Sequence, residues 1–280
     1  MTRVRALLDE GARALPGDEA RREAALLLRY ALGVSEAWLI ARADESIDAA
    51  RADNFRALVE RRARGTPIAY LIGTRGFHAI DLHVTPDVLI PRAETELLVE
   101  LALARIAPDA QDCRIADLGM GSGAIALAIA RDRPDVQVVA TDASGAALAV
   151  ARDNARRLNI TNVEFRQGDW CAALGDDRFD LIMSNPPYIA EGDPHLHEGD
   201  LRFEPAAALA SGPDGLDAIR IIVRSARKHL RDKGWLLFEH GFDQAPAVRE
   251  LLAAQAYAEV FTGRDLEGRE RVSGGRRRTS

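Results

Sequence analysis

Cysteine is scarce: Cys113 and Cys171 are the only two in 280 residues, far apart and without a CxxC spacing. That scarcity argues against a disulfide framework and a thiolate zinc site, and it points to a reducing compartment. Long apolar runs are missing as well, so no segment is expected to cross a bilayer. The opening MTRVRALLDEGARAL carries acidic residues and no apolar core segment, which does not suit a secretory signal. A cytoplasmic protein is therefore expected. Nor is there a surplus of positive charge: 37 Lys and Arg face 43 Asp and Glu, a formal net charge of −6. Duplex-DNA binders draw much of their affinity from neutralising phosphates, so this balance weighs against direct nucleic-acid binding. The clusters Arg61-Arg62-Ala63-Arg64 and Arg276-Arg277-Arg278 read as a solvated helix end and a frayed terminus. Internal repeats and low-complexity tracts are absent.

What is there allows one large domain and one small one. Residues 1–72 read as a helical bundle. Leu7, Leu8, Ala12 and Leu15 recur at helical spacing until Pro16-Gly17 breaks the pattern. Asp18 is placed to cap a second helix that carries Ala24, Ala25, Leu28 and Leu32 inward and stops at Gly33. Ser35 and Asp48 are placed to cap the next two. No polar constellation here suggests chemistry, which leaves substrate recognition or a scaffold role. Residues 73–91 shift in composition and read as a hairpin linker, with Phe77, Ile80, Leu82 and Val84 broken from Val88, Leu89 and Ile90 by Thr85-Pro86-Asp87. Glu94 and Glu96 then suit the positive end of a helix from Leu97.

From residue 92 to 280 short apolar runs alternate with helical patterns, ending in a pair of strands. Such alternation predicts an α/β domain, a doubly wound and mostly parallel sheet with helices on both faces. The strand runs lack in-out alternation, as expected when both faces are covered.

Four strand ends carry distinctive residues. Asp117-Leu118-Gly119-Met120-Gly121-Ser122-Gly123 follows the first strand and opens a helix, so its glycines can turn sharply and approach a ligand. Asp142 ends the second strand, where a carboxylate can accept both hydroxyls of a ribose. Gly168-Asp169-Trp170 follows the third, and the indole could enclose a purine or simply fill core. The fourth strand, Phe179–Ser184, runs into Asn185-Pro186-Pro187-Tyr188. Two prolines end the strand and stiffen the turn, because each fixes its φ and restricts the residue before it. Ligands of open α/β sheets bind outside the carboxyl ends of the strands, so the four sets should converge.

A glycine loop with a ribose-binding Asp fits a dinucleotide or S-adenosylmethionine. The spacing is G-x-G-x-G, and Asn-Pro-Pro-Tyr has no task in hydride transfer. It has one in methylating a planar NH₂, whose lone pair is delocalised. The Asn185 side-chain oxygen and the Pro186 carbonyl could take both N–H hydrogens, with the Tyr188 ring packed on the planar group, and positioning would supply much of the rate.

The segments DLGMGSGAIALAIA, SNPPY, DPHLHEGDLRFEP and FEHG, with IPRAETELLVE, resemble the HemK/PrmC-type peptide chain release factor N(5)-glutamine methyltransferases over nearly the whole chain. The resemblance implies a helical N-terminal domain, a hairpin linker and a seven-stranded class I S-adenosylmethionine-dependent methyltransferase domain. It implies methyl transfer from S-adenosyl-L-methionine, leaving S-adenosyl-L-homocysteine, to the glutamine amide of the Gly-Gly-Gln motif in release factors. By position, Gly119, Met120, Gly121, Ser122, Gly123, Asp142, Trp170 and Asn185 would hold the cofactor, and Asn185, Pro186, Pro187 and Tyr188 the substrate glutamine, with Asn185, Pro186 and Tyr188 catalytic. Met120 departs from the family's usual threonine, and its side chain is expected to point away from the ligand. Gly76 and His78 stand where relatives more often carry a glutamate and an aromatic residue.

No metal is expected, since His195 and His197 would need a third ligand and methyl transfer needs none. Arg202-Phe203-Glu204-Pro205 could line a substrate channel or anchor its loop, and His240 is assigned a structural role. A monomer acting on release factors, with no membrane contact, is the expectation. Rival readings are glutamine methylation of a ribosomal protein, adenine N(6) methylation of DNA, and a non-catalytic RNA or ribosome-binding module.

Overall fold

The computed structural model describes residues 2–108 and 112–279. The chain divides into two compact units, Met1–Thr74 and Arg75–Ser280.

The first unit packs helices Val4–Ala14, Ala20–Leu32, Glu36–Ala41, Ala49–Ala63 and Ile68–Ile72 around Leu7, Ala24, Leu27, Leu28 and Phe55. Ser35 accepts the Trp38 N–H at 3.2 Å and Asp48 the Arg51 N–H at 2.9 Å, so both cap as expected. Asp18 does not: the second helix starts at Ala20 after Glu19, with no side-chain cap bond. A two-strand ladder, Thr2–Arg3 with Ser46–Ile47, is too short to leave an alternation in the sequence. Arg62 is not a free solvated cation, because it forks onto Glu23 at 2.6 and 2.8 Å.

The second unit carries seven strands in one sheet: β1 Arg114–Leu118, β2 Gln137–Asp142, β3 Val163–Gln167, β4 Phe179–Ser184, β5 Leu230–Glu239, β6 Tyr257–Arg264 and β7 Glu270–Arg277. Their order is β6-β7-β5-β4-β1-β2-β3. β1 to β5 run parallel, and β7 pairs antiparallel with both β5 and β6. The flanking helices are α1 Glu96–Leu103, α2 Ala124–Asp132, α3 Gly145–Arg157, α4 Asp217–His229 and α5 Ala245–Ala254. They cover both faces, which is why Ile115, Ala116, Leu181, Ile182 and Met183 are all buried and show no alternation. Both cysteines are free and buried. No helix among the described residues is long and apolar enough to cross a membrane.

Arg276 and Arg277 lie within β7 and are not frayed, since β7 sits between two partners and the Arg276 guanidinium reaches Glu259 at 2.9 Å. The linker's Phe77, Ile80 and Leu82 sit in the same apolar cluster as Leu98, Ile125 and Leu127, so this hairpin is packed core of the second unit. Glu96 does more than favour its helix end: its Oε1 accepts the His78 N–H at 3.1 Å, tying hairpin to α1. His78 also meets Asp132 at 2.9 Å.

Register sets the site. Leu118 lies level with Thr141 on one side and Ser184 on the other, and Ser184 lies level with Phe238. Asp142 is level with Gln167. The residues after these, 119, 168, 185 and 239, therefore gather at one edge of the sheet with Asp142. Between β1 and β4 the chain's crossovers change direction, which opens the crevice where such sheets bind ligands.

Candidate active site

Gly119, Gly121 and Gly123 have φ of +71°, +54° and +84°, the left-handed region that a side chain strains. The Gly119 and Met120 N–H groups donate to the Thr141 carbonyl at 2.9 and 3.0 Å, hanging the loop on the end of β2. Asp142 completes the tie: one carboxylate oxygen accepts the Gly121 N–H at 2.9 Å and the other the Ser144 N–H at 2.8 Å. A carboxylate oxygen can accept more than once, so both keep capacity for a diol. Trp170 itself sits at φ +42°, with its ring over Gly119, where an added Cβ would come within 3.0 Å of the indole. The small residue and the large ring are a matched pair.

These groups enclose a cavity of about 300 Å³. Gly119, Met120, Gly121, Ser122, Asp142, Trp170, Asn185 and Pro187 form part of its wall. Gly123 stands off the wall and faces Leu127 and Ala151, where a Cβ would lie 3.1 and 3.2 Å from their side chains. Pro186 is buried and Tyr188 half-buried, both off the wall. Met120 is buried and packs in the apolar cluster beside α2 while its residue borders the cavity. Phe77, Leu89 and Pro205 border the same space and add apolar surface to it.

The corner after β4 is braced on several sides. Ser184 Oγ donates to the Leu118 carbonyl at 2.7 Å, joining the two motif strands at their ends. Gln244 donates to the Tyr188 carbonyl at 2.9 Å. Gly215, at φ +76°, presses against that carbonyl so closely that a Cβ would lie 2.2 Å from its oxygen. Asn185 Nδ2 donates to Thr95 Oγ1 at 3.0 Å, and the Tyr188 hydroxyl donates to Glu239 at 3.1 Å. Burial raises the Tyr188 pKa and the adjacent Glu239 carboxyl raises it further, so the phenol stays protonated.

Three positioning groups were not evident from sequence. Thr95 and Glu239 lie 144 positions apart and bond at 2.6 Å, a proximity no local pattern reveals. Asn154, fully buried on α3, bonds the His83 backbone through both amide ends and also donates to the Ser122 carbonyl at 3.0 Å. Its signal was present: an asparagine among Leu148, Ala151 and Ala155 on an apolar helix face needs partners. Glu204 is buried and held by Arg92 at 2.6 Å, while Pro205 borders the cavity, so that segment both anchors and lines. His195 is exposed and pairs with Asp193 at 2.7 Å. His240 is buried, bonding the Gly241 carbonyl at 2.8 Å and Ser273 Oγ at 2.9 Å; burial lowers its pKa, and the neutral ring joins β5 to β7.

Asp117 is fully buried at the end of β1, where Oδ2 accepts the Ala126 N–H at 3.0 Å and Oδ1 has no partner. Burial pushes its pKa up to about 7, against a weaker lowering by the Ala126 N–H. Between the ordinary carboxylate range and about pH 7 the folded state then holds a proton that the unfolded state has lost, so stability falls as pH rises through this window, by about 1.4 kcal/mol per unit of difference at most. Urea midpoints at pH 5 and 8 should show the wild type weaker at pH 8, and Asp117→Asn should flatten that difference. An unchanged slope in the variant would assign the proton elsewhere.

Residues 94–208 match the Methyltransferase small domain family and residues 6–73 the PrmC N-terminal domain. The release factor glutamine methyltransferase of Xylella fastidiosa is 56% identical over 256 residues, spanning 91% of this chain and 93% of its own. That of Pseudomonas aeruginosa is 48% identical, spanning 91% of each. Among solved structures, a Pyrococcus furiosus methyltransferase aligns with TM-score 0.55 at 18% identity, covering 81% of this chain and 100% of its own. The Thermus thermophilus 16S rRNA N2 G1207 methyltransferase, solved with AdoMet and guanosine, gives 0.55 at 21%, covering 73% and 50%. At such identities the likeness is one of fold, and it agrees with the seven-stranded, mostly parallel sheet described above. With relatives this similar across nearly its whole length, the chain belongs to the release factor glutamine methyltransferases.

Proposed function

We propose that this protein transfers a methyl group from S-adenosylmethionine to the side-chain amide nitrogen of a glutamine in a translation release factor, that of the Gly-Gly-Gln motif. The observation that carries the reading is the stiff Asn185-Pro186-Pro187-Tyr188 corner, whose Asn185 shares one cavity with a glycine loop and Asp142. The cavity suits the cofactor: glycine backbone at positive φ lies on its wall, a carboxylate with spare acceptor capacity stands at the end of β2, and an indole borders it. When bound, the cofactor supplies an electrophilic sulfonium methyl. Gly119, Gly121 and Ser122 would hold its amino-acid part, Asp142 its ribose hydroxyls, and Trp170 an edge of its adenine.

At the acceptor end the chain's own residues position and polarise. The Asn185 Oδ1 and the Pro186 carbonyl accept the two amide hydrogens, which draws the nitrogen toward a tetrahedral, nucleophilic geometry, and the nitrogen, made acidic by methylation, sheds one proton to solvent. The Tyr188 ring, held by its hydroxyl on Glu239, limits rotation of the planar group. Holding the reactants at attack distance supplies much of the rate. The reading extends to a monomer in the cytoplasm that needs no metal.

Labelled S-adenosylmethionine, offered with a release factor, a ribosome preparation and an adenine-containing duplex, tests the reading. Label is expected on the release-factor glutamine. Label confined to a ribosomal protein or to the duplex would overturn it.

A further inference from the structure

An asparagine side chain offers an acceptor and a donor of nearly equal shape, so a mechanism that needs Asn185 Oδ1 also needs something to stop the amide from turning over. We propose that Thr95 and Glu239 are positioning residues that fix which end of the Asn185 amide faces the acceptor nitrogen. This rests on the functional reading above and adds the device that makes it directional.

The polarity follows from proton counting. Glu239 is 1% exposed and Thr95 4%, so both are shielded from bulk solvent. As a carboxylate, Glu239 only accepts. Its Oε2 lies 2.6 Å from Thr95 Oγ1, so the single Thr95 proton goes to Glu239. The Thr95 oxygen is then left as an acceptor, and the group 3.0 Å away must donate: Asn185 Nδ2. Oδ1 is thereby turned from Thr95, the orientation in which it can accept an N–H. The other Glu239 oxygen takes the Tyr188 hydroxyl at 3.1 Å, so one carboxylate orients both ends of the corner.

The register makes this possible, since Ser184 and Phe238 are level and Asn185 and Glu239 follow them. Thr95 reaches them from the turn that opens α1.

The device is reversible by one proton. Protonated Glu239 can donate to Thr95, whose own proton then points at Asn185 and favours Oδ1 on that side, presenting NH₂ to an NH₂. Burial raises the Glu239 pKa, while the Thr95 and Tyr188 hydroxyls and the positive charge of Arg271 oppose the rise and Glu94 adds to it. The charged and titratable groups that act on Glu239 include Tyr188, Arg271 and Glu94. An acidic limb in kcat governed by Glu239 is the consequence.

Five measurements on the full chain test this. Thr95→Val, of matched shape, should lower kcat for release-factor methylation by about 10- to 100-fold, the usual effect of losing an orienting partner, with cofactor affinity and melting temperature near wild type. Thr95→Ser keeps the hydroxyl and should retain most of the rate. The acidic limb should persist in Thr95→Ser and vanish in Thr95→Val. In Glu239→Gln, which like the protonated acid carries a donor at one end, kcat should be low at every pH and the acidic limb should vanish. Independently of any substrate, hydrogen exchange of the Asn185 side-chain NH₂, followed by NMR, should be slow in wild type and fast in Thr95→Val. Equal exchange in the two, equal loss of kcat in the Val and Ser variants, or an acidic limb surviving in Glu239→Gln would each overturn the assignment. A wild-type enzyme that leaves release factors unlabelled would instead overturn the functional reading, and the exchange measurement would still judge the relay.

Discussion

Asn185→Ala is expected to lower kcat by about two to three orders of magnitude, the scale seen when one preorganised electrostatic partner is removed from a reacting group. The loss falls on kcat because the amide nitrogen gains its nucleophilic character only as its hydrogens are held, so the interaction strengthens on the way to the transition state. Asn185 is well suited to this. Its Nδ2 is tied to Thr95, and Ser184 before it is bonded to the end of β1, so neither side chain nor backbone must be ordered when the acceptor arrives. Cofactor affinity should change far less, because the glycine loop and Asp142 remain tied to β2. Single-turnover transfer of labelled methyl, with calorimetric titration of the cofactor, separates the two quantities. A variant with unaltered kcat would remove Asn185 from the chemistry.

Asp142→Ala should do the reverse, weakening cofactor binding by about 100-fold or more with a smaller effect on the chemical step at saturation. Two hydrogen bonds to an ionised group are worth about 1.5–3 kcal/mol each, and the lower end of that range already gives the factor. The carboxylate also holds the Gly121 and Ser144 N–H groups, so its loss loosens the turn that carries the loop as well as removing the ribose contact. Calorimetry should show the weaker binding directly. A dissociation constant within about threefold of wild type would mean that Asp142 serves the loop alone.

Much of the candidate wall of the cavity is legible in the sequence. Glycines at 119 and 121, a carboxylate ending one strand and a proline pair ending another are local features: each constrains φ, charge or hydrogen bonding at its own position. The doubly wound sheet is legible for a similar reason, since short apolar runs alternate along the chain with helical patterns, while its class I, seven-stranded form was implied only by the family resemblance. Where expectation and structure part, the cause is an interaction from elsewhere. Asp18 looked like a cap, yet the helix begins one residue past Glu19. Arg276 looked like a frayed terminus, yet its strand is held on both sides by β5 and β6.

The chain's own order of residues determined that a stiff amide-bearing corner and a glycine turn would stand at strand ends, because backbone stereochemistry and hydrophobic period act over short distances. Only the tertiary structure decided that Glu239 and Thr95 would meet behind that corner and that Asn154 would bridge the hairpin to the loop. Those contacts depend on strand register, and register is settled by packing of the whole sheet, not by any neighbouring residue.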